Sequence, residues 1–309
     1  MRNTTDISQY INYYSKIRGK KYAVVFQNKK ISYKKLEEIV SNLSASFLNL
    51  GICQGDRIAV VLSNSLEFVY VLFAAARIGA TIVPYNISLP AKVIKKNFSC
   101  TKIKFLVGWY KVVEKIFQEK NIEKIIKAKR TIIVGNDSEK FNFFDNLIKR
   151  NKSKKKTIKK KYLLDNNYII SLTSGSTGNP KPIVLTQKTK LLRSYFTKKI
   201  YNLSSNSVII ASTPLYHSLA LRLVLLPIII GATSVILSGF STKKWFGEVK
   251  KNNVTFSILV SSQLENLINY KKNIFDKLRN LKTIVSSSSK LNKLVRNKIE
   301  KLKFPNIYE

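Results

Sequence analysis

The segment best suited to chemistry is the run LTSGSTGNPKP at residues 172–182, which holds four hydroxyl side chains, two glycines and one lysine. Hydroxyl groups donate hydrogen bonds, glycine lets backbone N–H groups approach a ligand closely, and lysine supplies a mobile positive charge. This combination predicts a loop that binds an anion. It is not a Walker A loop, because Gly178 is followed by Asn179-Pro180-Lys181 and not directly by Lys-Ser or Lys-Thr.

Two elements are predicted to position this loop. The apolar residues 168–172 predict a buried strand, and the residues after Leu185 predict a helix. The loop is therefore expected at a strand end, where the ligand sites of α/β proteins gather.

A β-α-β unit is predicted early in the chain. Residues 57–62 predict a strand, residues 66–78 predict an apolar helix that follows a capping turn at 63–65, and Gly79 ends that helix before a strand at 81–83.

A similar series recurs later, with a strand at 208–211 and a helix after Pro214. The sequence GATSV at 231–235 then echoes GATIV at 79–83. This echo suggests that the chain contains two related α/β sheets.

Further elements are predicted outside these two series. Strands at 22–26 and 31–33 predict a hairpin, and Ser32 can cap a helix that ends at Gly51. Two more strands, each followed by a helix, are expected at 255–258 and 281–285.

The composition favours a globular protein with a strong basic excess. The chain has 309 residues, 45% of them hydrophobic, and its 55 Lys and Arg against 17 Asp and Glu give a formal charge of +38. Such a charge is typical of proteins that bind nucleic acid or anionic membranes. The lysines are spread along the whole chain, however, and no basic stripe with interleaved aromatics stands out. We therefore expect no specific nucleic-acid site.

A lysine-rich run at 150–161 cannot enter a core and predicts a solvated linker. It divides the chain into a first α/β subdomain with this linker at 1–161 and a second subdomain at 162–309. A tether for nucleic acid or lipid headgroups is the alternative for the run.

The chain is expected to work in the cytoplasm. Cys53 and Cys100 are far apart and in no metal spacing, which indicates neither a disulfide framework nor a zinc site. The N-terminus has no apolar core of signal-peptide type. The apolar window at 219–237 is interrupted by Arg222, Pro227 and Gly231, so it predicts a core helix, a turn and a strand, and no transmembrane segment.

These motifs together resemble the AMP-forming adenylating enzymes, which include acyl-CoA synthetases and aryl-acid ligases. The run TSGSTGNPK at 173–181 matches the phosphate loop of that family. GDRIA at 55–59, PLYH at 214–217 and residues 286–291 are similar to its early core, its acyl-pocket motif and its adenine-side strand. The resemblance implies the large-domain fold of these enzymes, with two related α/β subdomains and a nucleotide site between them.

The resemblance also implies a reaction in two steps. A carboxylate attacks the ATP α-phosphate to give an acyl-adenylate and pyrophosphate, and a thiol, that of coenzyme A, then takes the acyl group. The expected partners are thus ATP, Mg²⁺, CoA and a small carboxylic acid. Positioning and charge neutralisation carry most of such chemistry.

The resemblance assigns the site residues as follows. Lys181 would hold the leaving phosphates, Thr173 would assist Mg²⁺, and His217 would line the acyl pocket near the carboxylate. Five further residues would cradle the phosphates: Ser174, Gly175, Ser176, Thr177 and Gly178. Ser287 and Ser288 would contact adenine or the acyl carbonyl, and the equal alternative is that they are ordinary polar residues at a strand end.

The acyl substrate is expected to be a fatty acid, because the residues around His217 are strongly apolar. An aryl acid is the alternative substrate, and a non-catalytic remnant or basic binding protein is the alternative from another class. Pro182 and Gln187 stand where the family usually has glycine and often has histidine, and Ser289-Lys290 replaces a small residue and proline.

The chain is interpreted as an N-terminal large-domain fragment. It ends at Glu309, before the family's Tyr-Gly motif, its ribose-binding aspartate and the lysine of its mobile C-terminal domain. We therefore expect residues 1–309 alone to catalyse no acid-dependent exchange of pyrophosphate into ATP.

Overall fold

The computed structural model describes residues 4–149, 163–173, 181–270, 275, 278–302 and 305–309. The predicted linker at 150–161 and the loop residues 174–180 lie outside the described residues. The chain forms two compact units, a first unit of residues 1–21 and 32–192 and a second unit of residues 22–31 and 193–309.

The helices and strands alternate along the chain. The helices are α1 (Gln9–Ile17), α2 (Tyr33–Asn49), α3 (Leu66–Ile78), α4 (Ala91–Thr101), α5 (Tyr110–Phe117), α6 (Phe144–Lys149), α7 (Gln187–Ile200), α8 (Ser218–Ile230), α9 (Thr242–Lys251), α10 (Ser261–Ile268) and α11 (Lys293–Glu300). The strands are β1 (Tyr22–Phe26), β2 (Lys29–Ser32), β3 (Arg57–Val61), β4 (Thr81–Pro84), β5 (Phe105–Trp109), β6 (Thr131–Val134), β7 (Asn142–Phe143), β8 (Asn167–Thr173), β9 (Lys181–Thr186), β10 (Val208–Ala211), β11 (Thr233–Ile236), β12 (Phe256–Val260), β13 (Thr283–Ser287) and β14 (Asn306–Tyr308). Short 3₁₀ turns lie at Ile122–Lys124 and Ala128–Arg130.

Each unit is built on one sheet. The first sheet has the strand order β7-β6-β5-β3-β4-β8-β9, and the second has the order β14-β13-β12-β10-β11-β1-β2. In both, the first strand of the β-α-β series pairs in parallel with the two strands that follow it, β3 with β4 and β5, and β10 with β11 and β12. The described strands of the two sheets therefore follow one plan.

The two sheets also end alike on one side. A hairpin adds to each, β8–β9 beside β4 and β1–β2 beside β11, and its first strand runs parallel to that neighbour. The predicted α/β fold with two related sheets is confirmed.

The boundary expected between 161 and 162 differs from this division. β8 and β9 follow the linker in sequence, yet β8 pairs with β4, and Ile82 is opposite Ile169. Backbone hydrogen bonding thus places both strands in the first sheet. Residues 22–31 belong to the second sheet for the same reason, since Val24 is opposite Ser234.

The caps predicted from sequence set the bounds of helix α3. The Ser65 side chain accepts a hydrogen bond from the Phe68 N–H, and Gly79 ends the helix with φ 72°. Gly231 ends helix α8 in the same way with φ 76°. A left-handed residue at this position favours glycine, because other residues pay for a clash of Cβ with the backbone.

Helix α8 confirms the interpretation of the apolar window. Pro227 lies within the helix, and most of its side chains are buried in the second unit. Within the described residues, no helix is both long enough and apolar enough to cross a membrane.

Candidate functional site

The run at 173–181 connects the two strands of a hairpin. Thr173 ends β8 and lies opposite Lys181, the first residue of antiparallel strand β9. The prediction of a buried strand before the loop is confirmed, since Tyr168, Ile169 and Ile170 are buried. Residues 174–180 lie outside the described residues, so the structure fixes the two ends of this loop and its position at the carboxyl end of β8.

Strand β9 was not predicted from sequence. It is the outermost strand of the first sheet, and four of its residues, from Lys181 to Val184, are exposed. Pro182 lies opposite Leu172 in this edge strand. Proline has no N–H to donate to a neighbouring strand, so sheets tolerate it in an edge strand. This position explains structurally why proline can stand at residue 182, where the family usually has glycine.

Gln187, which stands where the family often has histidine, is buried and links two segments of the first unit. Its Oε1 accepts a hydrogen bond from the Ile7 N–H at 2.8 Å, and its Nε2 donates to the Ala76 carbonyl at 2.9 Å. One side chain with both a donor and an acceptor therefore joins the N-terminal segment to the end of α3.

His217 is the residue before helix α8, and its ring lies 4.3 Å from that of Tyr216 between centroids. The side chain is exposed at the surface, and partial desolvation lowers the pKa of its imidazole. A lowered pKa favours the neutral ring at neutral pH, which can both donate and accept a hydrogen bond.

Ser287 and Ser288 lie where strand β13 ends. Ser287 is the last residue of the strand, and Ser288 adopts φ 95°, a conformation that favours glycine. Such strained residues concentrate at ligand sites when the surrounding structure holds them in place. Ser288 is exposed, so its hydroxyl is open to a ligand.

Ser261, the first residue of α10, holds this turn. Its Oγ lies 3.3 Å from Ser286 Oγ and 3.3 Å from the Ser287 carbonyl, and it also contacts the Ser289 carbonyl. A hydroxyl has one proton and two lone pairs, so Ser261 can accept from Ser286 while it donates to one carbonyl. The sequence analysis missed this residue because the contact joins two distant strand ends.

Ser212 is a second residue that the sequence analysis missed. It directly follows β10 and is 1% exposed, and within the described part of the chain its Oγ finds no hydrogen-bond partner. A buried hydroxyl without a partner calls for an explanation, and a ligand is one. The polar pair Ser212-Thr213 immediately after a buried strand was the available signal.

Three of the candidate residues share one edge of the second sheet. Ser287 ends β13, and His217 follows β10 by six positions, so both lie at the carboxyl edge together with Ser288. Ligands of open parallel sheets bind at this edge. Thr173 and Lys181 lie at the carboxyl end of β8 in the first unit.

Comparison with known proteins decides the family. The family model of the AMP-binding enzymes matches residues 15–309. This chain belongs to that family. The match covers both sheets and every candidate residue discussed above.

Curated relatives include CoA ligases. The chain is 24% identical over 263 residues to the crotonobetaine/carnitine–CoA ligase of Salmonella paratyphi B (strain ATCC BAA-1250 / SPB7), a match that covers 82% of this chain and 50% of that protein. An Escherichia coli (strain SE11) protein of the same name is 24% identical over 242 residues, which cover 77% of this chain and 46% of that protein. The chain thus spans about half the length of the curated relatives it matches.

Solved structures share the fold of this AMP-binding enzyme. The inhibitor-bound N-terminal domain of FACL13 from Mycobacterium tuberculosis has a TM-score of 0.82 at 19% identity and covers 96% of this chain and 73% of that one. The O-succinylbenzoate coenzyme A synthetase of Bacillus subtilis, in complex with AMP, has a TM-score of 0.81 at 18% identity and covers 96% and 71%.

Proposed function

We propose that this chain binds ATP through residues 173–181 and is part of an enzyme that activates a carboxylic acid. The acid attacks the ATP α-phosphate, pyrophosphate leaves, and the thiol of coenzyme A then displaces AMP from the acyl-adenylate. The observation that carries this proposal is the placement of a Gly-, Ser- and Thr-rich run at the tip of hairpin β8–β9, in a chain that belongs to the AMP-binding enzymes.

The loop supplies hydrogen-bond donors and one cation to the phosphates. Lys181 is exposed at the first position of β9, from which its flexible side chain can reach a phosphate beside the loop. Its charge offsets the negative charge that builds on the leaving pyrophosphate. Mg²⁺ prefers oxygen ligands, and the Thr173 hydroxyl at the end of β8 offers one.

The second sheet supplies the groups for adenine and for the acid. The exposed Ser287–Ser288 turn is proposed to contact adenine or the acyl carbonyl, and His217 to line the acyl pocket. A neutral imidazole beside the acid can donate a hydrogen bond to its carboxylate and add no charge that would hold the nucleophile back.

A fatty acid is the proposed substrate. Helix α8, which directly follows His217, is rich in leucine and isoleucine, and this apolar environment favours an alkyl chain as the acyl group. An aryl acid is the second candidate, since the structural neighbours include an O-succinylbenzoate coenzyme A synthetase. We place the enzyme in the cytoplasm.

The loop assignment is tested by calorimetric titration of Mg-ATP into the wild-type chain and the Lys181→Ala variant. The substitution is expected to weaken binding by about 1.5–3 kcal/mol, the usual contribution of a charge-assisted contact. Lys188→Ala is the matched control, because Lys188 is an exposed lysine on α7 that pairs with Asp165 at 3.4 Å. Equal affinity of wild type and Lys181→Ala would remove the loop from the site.

The substrate class is tested with non-hydrolysable acyl-adenylate analogues. A decanoyl analogue is expected to bind more tightly than a benzoyl analogue that carries the same adenosine and linker, because the longer alkyl chain can bury more apolar area. Tighter binding of the benzoyl analogue would favour the aryl acid.

A further inference from the structure

A cleft of ≈ 670 Å³ opens on the second unit, and none of the residues that line it is among those assigned above. Its walls are the β1–β2 turn at Gln27–Asn28, the end of β11 from Ile236 to Ser238, and one face of helix α9. A volume of this size is in the ordinary range for small-molecule sites. The cleft also lies at the carboxyl ends of the parallel strands β1 and β11, as ligand sites of open sheets do.

The cleft carries an excess of positive charge. Lys243, Lys244 and Lys251 line it, against one acidic residue, Glu248. The Glu248 carboxylate already accepts a hydrogen bond from Asn252 Nδ2 at 2.7 Å. In the part of the chain that the structure describes, neither Lys243 nor Lys244 forms an ion pair.

Lys251 fixes the opposite wall. Its Nζ donates to Asn28 Oδ1 at 3.0 Å, which joins the end of α9 to the turn of the hairpin. The cleft is therefore bounded by helix α9 and the β1–β2 turn, which this hydrogen bond connects.

Gly247 faces this cleft from the middle of α9. A Cβ at this position would meet no atom within 4 Å, and the backbone has no positive φ that would require glycine. Glycine in a helix interior costs about 0.5–1 kcal/mol relative to alanine. Neither packing nor backbone conformation explains it, whereas open space for a ligand against the helix does.

The common plan of the two sheets points to the same ligand chemistry. The cleft adjoins hairpin β1–β2, the end of β11 and the following helix α9. The corresponding elements of the first sheet are hairpin β8–β9, the end of β4 and helix α4. The loop proposed to hold the phosphates of ATP is the tip of that first hairpin. This step rests on the proposed function, whereas the cleft, its charge and Gly247 do not.

We propose that this cleft is a second anion site that binds a small organic phosphate. Lys243 and Lys244 hold the phosphate group from the first turn of α9, and Lys251 adds a third positive charge at the end of that helix. The organic part rests against the strand end at Ile236 and Leu237, beside the open backbone of Gly247.

The test follows the amide signal of Gly247 by NMR in protein labelled with ¹⁵N-glycine, with Gly247→Ala used to assign it. Phenyl phosphate is the probe, and inorganic phosphate is the comparison. The Gly247 signal is expected to shift and saturate with phenyl phosphate, and inorganic phosphate is expected to bind more weakly. The Lys243→Ala/Lys244→Ala variant should bind at least about tenfold more weakly, since each charge-assisted contact is worth this much.

Two further variants separate the cleft from the general charge of the protein. Lys198→Ala/Lys199→Ala removes two adjacent exposed lysines at the end of α7 and should leave the affinity within twofold. Gly247→Leu fills the cleft without a change in charge and should prevent binding. Because this variant has no Gly247 signal, its affinity for phenyl phosphate is measured by calorimetry, and its thermal unfolding shows whether it folds as Gly247→Ala does.

Four results would overturn the proposal: an unmoved Gly247 signal, equal weakening by both lysine pairs, wild-type affinity in a folded Gly247→Leu variant, or equal affinity for the two probes. The titration is repeated in Lys181→Ala, where the Gly247 shift should persist. Its loss would place the probe at the 173–181 loop. If ATP does not bind but the Gly247 shift persists, the proposed function is rejected and the proposal for the cleft stands.

Discussion

The first and second sheets share a strand order but differ at the hairpin that ends each of them. Between β8 and β9 the chain inserts seven residues, 174–180, whereas β1 and β2 are joined by the two residues Gln27–Asn28. Gln27 adopts φ 54° in that short turn. The strands on either side follow the same order, although β8 and β9, of 7 and 6 residues, are longer than β1 and β2, of 5 and 4 residues.

This comparison bears on where the proposed chemistry of the fold resides. A sheet supplies rigid strand ends, and the connection placed on them decides which ligand is held. The long connection carries hydroxyls and glycines and is followed by Lys181 at the start of β9, whereas the short one borders a cleft whose lysines come from the neighbouring helix.

The largest effect is expected when the long connection is replaced by the short one. A variant with Gln-Asn in place of residues 174–180 keeps Thr173 opposite Lys181 and can still form a two-residue hairpin. It loses several hydrogen bonds to phosphate, so we expect Mg-ATP affinity to fall at least about 100-fold in calorimetry. Thermal unfolding should change by less than about 1 kcal/mol, because loop length has a weak effect on stability.

The reciprocal variant is the control for this exchange. Residues 174–180 placed between β1 and β2 should also leave the thermal stability nearly unchanged. Retention of wild-type ATP affinity by the shortened hairpin would show that the connection is not what distinguishes the two sheets.

A smaller effect is expected at Gly79 and Gly231, which end the equivalent helices α3 and α8 of the two units. Alanine at either position must adopt a left-handed conformation, which costs roughly 1–2 kcal/mol in the free energy of unfolding. Gly79→Ala is expected to cost more than this, because its Cβ would lie 3.0 Å from Gln54 Cγ and 3.1 Å from Leu163 Cδ2. Chemical denaturation measures both changes.

Gly247→Ala is the matched control for these two variants, since it places alanine on helical backbone with open space around it. It should stabilise the chain by about 0.5–1 kcal/mol. Neutral behaviour of Gly79→Ala or Gly231→Ala would contradict the assignment of these glycines as equivalent helix ends.

The smallest effect is expected at Asp6, which lies in the N-terminal segment of the first unit, outside the strands that the two sheets have in common. Burial raises the pKa of this carboxyl, although Ser8 donates to it from its N–H at 2.8 Å and from its Oγ at 2.5 Å. Because the folded state then binds the proton more tightly than the unfolded state, stability falls as pH rises from the unfolded pKa of 3.8 through the raised folded pKa.

Asp6→Asn keeps the Oδ1 acceptor and removes the charge. We expect it to raise the unfolding midpoint at neutral pH and to flatten the pH dependence above pH 3.8. A wild-type slope in the variant would show that another group controls this range.

Helix α3 was predictable because its signals are local. Ser65 and Gly79 mark the two ends of α3 in the sequence as they do in the structure, since a cap depends on residues a few positions apart. Strand β9 was missed for the opposite reason. Its exposed residues resemble a loop, and only the hydrogen-bond ladder with β8 makes it a strand.

The sequence supplies residue types for the candidate site, and these assignments stay predictions, but it does not supply the geometry of the site. The loop at 173–181 and His217 were found because their motifs are contiguous. The strained turn at Ser288 and its support from Ser261 depend on how β12 and β13 pair, with Val260 opposite Ser287. No local pattern encodes a contact across 28 positions.

The pairing of β1 with β11 also sets an order of events during synthesis. Thr233 Oγ1 donates to the Tyr22 carbonyl across 211 positions at 2.7 Å. At ~5–20 residues per second, a ribosome needs roughly 10–40 s to deliver this partner after the hairpin has emerged. An isolated two-stranded hairpin is marginally stable in water, and its unpaired edge is a template for other strands. Val24 and Val25 must therefore be kept from pairing with other strands throughout this interval. A chaperone that recognises short apolar segments is expected to bind there first.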